Sequence, residues 1–550
     1  MKYLLKTTVL CVIAVFLTVS CKSDFDSLVN QRLNENPLPD PPTANSGDAD
    51  LSNYVAIGNS LTAGFMDGAL YNDGQQNSIP AMLAAKFAQA DAPANFSQPD
   101  INSPRGFNTA VPQNPVNGTV LGRFKLDTDI PGPSPTLGGD PIAPFTGDPS
   151  NLQNFGVPGI VVGQLLTPDT GNPASNAFNP FYARFASSAG TSTILGDAIA
   201  TQPSFITLWI GSNDVLGYAL SGASNPALLT SESDFDTQYN AVIGQLMNNT
   251  SANGIAVTIP PVTLNPFFRA VPYNAITLSS TEANDLNQAF AGLNAALDAV
   301  AANFPQHSQA EMDARKVSYQ AGANPILAND PELDDLEDEF DQLEGAGAIT
   351  SQQRAALVPY EQSRPLIQGE LVTLSAGAVL GTPADPNNPQ TTTIGVIIPL
   401  GLNSAAQGDE FYLTLAEQGL IQNRTTAFNT IIATAVAQSG GRFTLYDINS
   451  GLPGNPNTDI GVIADLFGFD GELGIRVDGV LLQPDFSPNG IFSTDGIHPN
   501  QRGNAILANE ILDLIESTYN ASFPDVDVLA LPSVQLCAGD CLSQQSKITP

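Results

Sequence analysis

The 550-residue chain has only two histidines, four cysteines and one tryptophan, and only 19 of its residues are lysine or arginine. Each scarcity excludes something. With His307 and His498 alone, any histidine-dependent chemistry has two candidates. Four cysteines are too few for a disulfide-framed scaffold. Against the few basic residues stand 54 acidic ones, a net charge of −35, so the surface repels phosphate backbones and nucleic acid is not expected as a partner. Charge of either sign is sparse at 13%, yet hydrophobic residues make up 42%, which suits ordered, loop-rich globular structure rather than disorder. No EF-hand loop is spelled anywhere, no internal repeat is visible, and neither a metal nor a cofactor is expected.

Long apolar runs are also missing after the N-terminus. Lys2 and Lys6 precede an apolar stretch from Val9 to Val19, too short to span a bilayer as a mature helix. It reads as the core of a signal peptide over residues 1–20. The run ends at Leu17-Thr-Val-Ser-Cys21, which resembles a bacterial lipoprotein signal. The resemblance implies an acylated Cys21, export and a membrane anchor, with Asp24 and Asp26 pointing to an outer membrane or cell surface. Residues 21–50 are polar and Pro-rich and read as a tether. Cys537 and Cys541, in Cys-Ala-Gly-Asp-Cys within a tail over 521–550, suit a small local disulfide in an oxidising compartment.

Between these ends, brief apolar runs bounded by Gly, Pro or Asn predict buried strands at 53–57, 205–210, 255–259, 394–398 and 443–446. Helical periodicity predicts helices after Asn77-Ser-Ile-Pro80, over 283–304, over 425–438 and over 501–519. Alternation of the two predicts an α/β fold with a mainly parallel sheet over 51–520, with its site at the carboxyl ends of strands. Residues 265–390 fit this alternation poorly and read as a partly helical insertion. Within them, the acidic stretch 330–340 places Leu333, Leu336 and Phe340 on one helix face, the acids being solvated.

Two segments carry chemistry. Gly58-Asn-Ser60-Leu-Thr-Ala-Gly64 follows the first predicted strand, where a turn exposes a hydroxyl beside free backbone N–H groups. Asp495-Gly-Ile-His498 precedes the last helix, and an aspartate at that spacing can fix the imidazole tautomer. His307 has no carboxylate at the same spacing and reads as a surface residue.

With Asn154-Phe-Gly-Val-Pro-Gly159 and Ile210-Gly-Ser-Asn213-Asp214 between them, these segments resemble, in order, the four blocks of the SGNH hydrolases, also called GDSL-like lipases and acylhydrolases. Asn59 departs from the aspartate usual in that family. The α/β-hydrolase elbow is excluded, since Thr62 stands where it needs glycine. The resemblance implies a three-layer α/β/α, flavodoxin-like fold and a serine ester hydrolase. It makes Ser60 the nucleophile, His498 the base and Asp495 its orienting acid. Ser60, Gly159 and Asn213 would form the oxyanion hole. Substrates would be small esters, lipids or acylated carbohydrates. Two other readings stay open: acyl transfer on the same site, and a catalytically inactive surface binding lipoprotein.

Overall fold

The computed structural model describes residues 42–547 apart from 91, 129–131, 386–391, 403–408, 456–460 and 470. The expected signal peptide, Cys21 and the first part of the tether lie outside the described residues. Residues 42–50 are not a free tether. Asn45 bridges to Ser522, the Asp48 N–H donates to the Tyr519 carbonyl at 2.7 Å, and Ala49 is buried.

A five-stranded parallel sheet lies at the centre. Its strands are β1 (Tyr54–Gly58), β2 (Asn154–Gly156), β3 (Phe205–Trp209), β4 (Asn253–Val257) and β5 (Phe443–Tyr446), in the spatial order β5-β4-β3-β1-β2. Successive side chains of a strand point to opposite faces, so each strand feeds two cores. Val55, Ile57, Ile206 and Leu208 enter one apolar cluster, while Tyr54, Ala56, Phe205 and Trp209 enter the other. This explains why the strands read as continuous apolar runs.

Helices cover both faces. Ten of the helices, in chain order, are α1 (Ser60–Ala63), α2 (Ile79–Phe87), α3 (Asn213–Leu220), α4 (Glu232–Asn249), α5 (Ser280–Asn303), α6 (Gln309–Arg315), α7 (Glu337–Gly345), α8 (Leu415–Ala437), α9 (Val462–Leu466) and α10 (Gln501–Tyr519). Helices α4 and α8 pack on one face, with Phe235 and Phe428 stacked at 3.9 Å between ring centroids. Helices α2 and α10 pack on the other through Leu83, Phe87, Ile511 and Ile515. The result is a three-layer α/β/α sandwich. Helix α2 starts as its sequence suggests: Ser78 Oγ accepts from the Ala81 N–H, and Pro80 lies in the first turn. Among the described residues no helix is long and apolar enough to cross a membrane.

A third apolar cluster runs from Ile276 to Tyr412 and includes Phe290, Leu297, Leu336 and Phe340. Two expectations differ here. Residues 394–398 form no strand of the sheet, because Gly395 takes φ +79° and its N–H bonds back to the Ile398 carbonyl at 2.7 Å. The acidic segment becomes helical only at Glu337. The Asp330 and Asp335 side chains accept from the backbone N–H groups of Glu332 and Glu337, so turn chemistry competes with the helix. At the other end of the chain, Cys537 and Cys541 are disulfide-bonded. This tail lies along a hairpin formed by Leu121–Asp127 and Gly132–Leu137, with Lys125 Nζ 2.8 Å from Asp540 Oδ2.

Candidate active site

Strand β1 ends at Gly58, where an added Cβ would collide with the Trp209 carbonyl and the Thr62 side chain. Only glycine lets the chain turn there into α1. Asn59 caps that helix through its Oδ1, which accepts from the Leu61 N–H at 3.0 Å. Asparagine supplies the capping oxygen needed here without a negative charge. Ser60 follows as the first helical residue, where no intrahelical acceptor exists for its N–H. Its Oγ lies 2.8 Å from His498 Nε2, although 438 positions separate the two residues.

His498 is held in the turn before α10. Its Nδ1 is 2.9 Å from Asp495 Oδ2, and Asp495 Oδ1 accepts from the N–H groups of Ile497 and His498, each at 2.9 Å. The Gly68 N–H donates to Oδ2 at 3.0 Å. Burial works to raise the Asp495 pKa. The His498 charge and these hydrogen bonds outweigh it and bring the pKa down to about 2. The carboxylate is therefore an acceptor only, and His498 donates to it through Nδ1, leaving Nε2 to accept from Ser60.

Nothing in the sequence marked Asp67 as part of this arrangement. Its Oδ1 accepts from the Thr494 N–H at 3.0 Å and from the Thr494 hydroxyl at 2.7 Å, and its own N–H donates to Ser493 Oγ at 3.0 Å. Its Oδ2 takes the Tyr71 hydroxyl at 2.8 Å and faces Arg123, whose guanidinium lies 4.3 Å over the Tyr71 ring. Asp67 thus ties the residues just before Asp495 to the loop after α1. An acid in a loop, bonded to residues more than four hundred positions away, has no local signature.

Gly159 lies on the turn after β2, beside Val157, whose N–H bonds to the Gly58 carbonyl at 3.0 Å. Its φ of +81° is left-handed backbone that glycine tolerates. Asn213 opens α3, and its Nδ2 donates one hydrogen to the Ile160 carbonyl at 2.8 Å, while the other has no acceptor among the described residues. Asp214 fastens the same turn: its Oδ2 accepts from the Val162 N–H at 3.0 Å and its Oδ1 from Thr230 Oγ1 at 2.8 Å. Burial pushes the Asp214 pKa up to about 7 against the opposing effect of those hydrogen bonds. The loops after β2 and β3 are therefore locked to each other.

Asn213→Ala removes an N–H donor at the position proposed for the oxyanion. A loss of about 10²–10³ in kcat with little change in melting temperature is expected from steady-state kinetics and calorimetry. Near-normal turnover would exclude Asn213 from that role.

Ser60, Asn213 and His498 open onto a cleft. Its walls are largely apolar: Val462, Ile463 and Leu466 of α9, and Ile506 and Leu507 of α10. Two buried polar atoms on its lining residues, Trp209 Nε1 and Ser212 Oγ, have no hydrogen-bond partner among the described residues. The five-residue helix α9 is too short to have been read from periodicity.

His307 lies outside this site and is not a surface residue. It is 5% exposed, with Nε2 3.0 Å from Glu339 Oε1. Its carboxylate partner comes from 32 positions away, which spacing around the histidine could not reveal.

Residues 54–322 match the family described as GDSL-like Lipase/Acylhydrolase. Neither the curated proteins nor the solved structures compared with the chain give a match. The matched span contains Ser60, Gly159 and Asn213 and ends before Asp495 and His498. Only the folded geometry brings the last block to the first three.

Proposed function

We propose that this protein hydrolyses carboxylic esters bearing an apolar acyl chain, with Ser60 as nucleophile, His498 as general base and acid, and Asp495 orienting His498. The GDSL-like span supports ester hydrolysis in general. The observation that carries the specific reading is the 2.8 Å contact of Ser60 Oγ with His498 Nε2 at the head of an apolar cleft.

As Ser60 attacks the ester carbonyl, its proton passes to His498 Nε2, which returns it to the departing alcohol. The developing oxyanion is stabilised by the Ser60 N–H, the Gly159 N–H and the second amide hydrogen of Asn213. Water then attacks the acyl-enzyme, giving its proton to His498, and the regenerated Ser60 takes it back. The acyl chain lies between α9 and α10, where burying each methylene contributes about 0.8 kcal/mol.

The test is hydrolysis of p-nitrophenyl esters from acetyl to dodecanoyl, with the alcohol held constant. The expected result is a kcat/KM that rises with acyl length and then levels off as the cleft fills. An optimum at acetyl would sink the acyl-chain reading and leave the nucleophile assignment standing. Products formed with added alcohol acceptors distinguish hydrolysis from acyl transfer.

Export and anchoring through an acylated Cys21, at an outer membrane or cell surface, complete the proposal; the Leu17–Cys21 segment supports them. Cells fed an alkynyl fatty acid are expected to label the wild type and not Cys21→Ala. Equal labelling of both would overturn the anchor.

A further inference from the structure

Residues 307–339 hold a second cluster of chemistry-bearing side chains, which does not depend on the ester-hydrolase reading. His307 follows α5, Glu311 lies one turn further on in α6, Asp334 sits in the turn before α7, and Glu339 lies within α7. The His307 side chain is 3% exposed. Its Nε2 is 3.0 Å from Glu339 Oε1, which also accepts from Gln306 Nε2 at 3.1 Å. An ionised carboxylate only accepts, so the imidazole donates through Nε2 and the lone pair of the neutral ring sits on Nδ1. That Nδ1 is buried without a hydrogen-bond partner among the described residues. It faces Glu311 Oε1 at 3.6 Å and Asp334 Oδ2 at 3.8 Å, and one ligand atom from each of the three residues lies within 4.8 Å of the others.

A buried acceptor nitrogen aimed at two acceptor oxygens is unfavourable unless positive charge occupies the space between them. A proton on Nδ1 would have to reach oxygens beyond ordinary hydrogen-bond distance. A metal ion held at about 2.0–2.2 Å from each atom bridges separations of this size with small side-chain adjustments. Charge points the same way. Among the described residues, the lysine or arginine side chain paired with any of Glu311, Asp334 and Glu339 is Arg315, whose Nη2 lies 3.0 Å from Glu311 Oε1. With a neutral imidazole the cluster is left doubly negative, and a divalent ion cancels that. The Glu339 contact has a matching logic, since a metal-bound histidine commonly donates its other N–H to a carboxylate that fixes its orientation. One imidazole nitrogen with carboxylate oxygens suits zinc and its transition-metal neighbours better than magnesium.

We propose that His307, Glu311 and Asp334 bind one divalent transition-metal ion, with Glu339 orienting His307, and that the ion ties α6 to the turn before α7.

The experiment is titration of the intact protein with Zn²⁺ alone by isothermal calorimetry, with thermal melting alongside. One equivalent is expected to bind, and the melting temperature to rise with zinc concentration. Asp334 is 73% exposed, so Asp334→Asn removes a ligand without disturbing packing. It should weaken binding at least about tenfold, and Glu339→Gln by about 10- to 100-fold. His307→Asn should abolish the stoichiometric site. If that variant fails to fold, Asp334→Asn decides. No saturable binding by the wild type would overturn the proposal. Binding undiminished in Asp334→Asn would do the same, since it would reflect loose association with the acidic surface.

Discussion

Ser60→Ala is expected to lower kcat/KM for p-nitrophenyl esters by about 10⁴- to 10⁶-fold while leaving the melting temperature almost unchanged. The size follows from the geometry. Ser60 Oγ is the one hydroxyl bonded to His498 Nε2, so its removal deletes the nucleophile and leaves the base with nothing to deprotonate except water. The stability should hold because the helix cap is the Asn59 side chain, which does not depend on the serine hydroxyl. His498→Ala should fall to a similar floor, and the double variant should fall no further, because residues acting as a unit are strongly non-additive. What survives in all three comes from the oxyanion donors and the cleft. Steady-state kinetics on the three proteins with matched circular dichroism makes the check. A Ser60→Ala enzyme retaining a tenth of its activity would show that another group makes the covalent bond.

The parts of this site that could be read in advance are those where a residue type has a purpose at a turn. Serine at 60, glycine at 159, asparagine at 213 and histidine three places beyond an aspartate are residue types with a local use at a turn, and the folded chain joins Ser60 to His498 and His498 to Asp495. Each also falls where a short apolar strand or the last helix places it. The bounds of α10 were legible for the same reason: Asn500 caps it, accepting from the Arg502 and Gly503 N–H groups, and a regular apolar face runs to Tyr519. Long-range convergence was not legible. Asp67 supports the Asp495 turn from 427 positions away, and α9 reaches the cleft as one short turn of helix inside an irregular stretch. Residues 394–398 had the composition of a strand. Gly395 folded the segment on itself, and it joined the third apolar cluster instead. In each case the deciding partner is remote, and composition within a window of ten residues carries no trace of it.

Asp495→Asn should cost about 10³- to 10⁴-fold in kcat, with a smaller effect on KM. In the wild type the carboxylate accepts from Nδ1, so Nε2 is the bare nitrogen facing Ser60. An amide can present its N–H₂ to Nδ1 instead. The ring would then carry its proton on Nε2 and could no longer accept from the serine. Because the Asp495 pKa is lowered to about 2, Asp495 stays ionised across the range in which esterases are assayed. The wild-type kcat/KM profile should therefore carry no ionisation of Asp495 between pH 3 and 6. An ionisation in that range that disappears in Asp495→Asn would contradict the placement of Asp495. Stability offers an independent reading. A carboxyl whose folded pKa lies below its unfolded value stabilises the fold fully above the unfolded value, near 3.8, and loses that contribution as the pH falls toward 2. Asp495→Asn removes this dependence, so the gap in melting temperature between wild type and variant should narrow on acidification through that window. A gap that stayed constant from pH 7 to pH 2 would mean that the carboxylate charge gives the folded state no advantage, and that Asp495 orients His498 by shape alone.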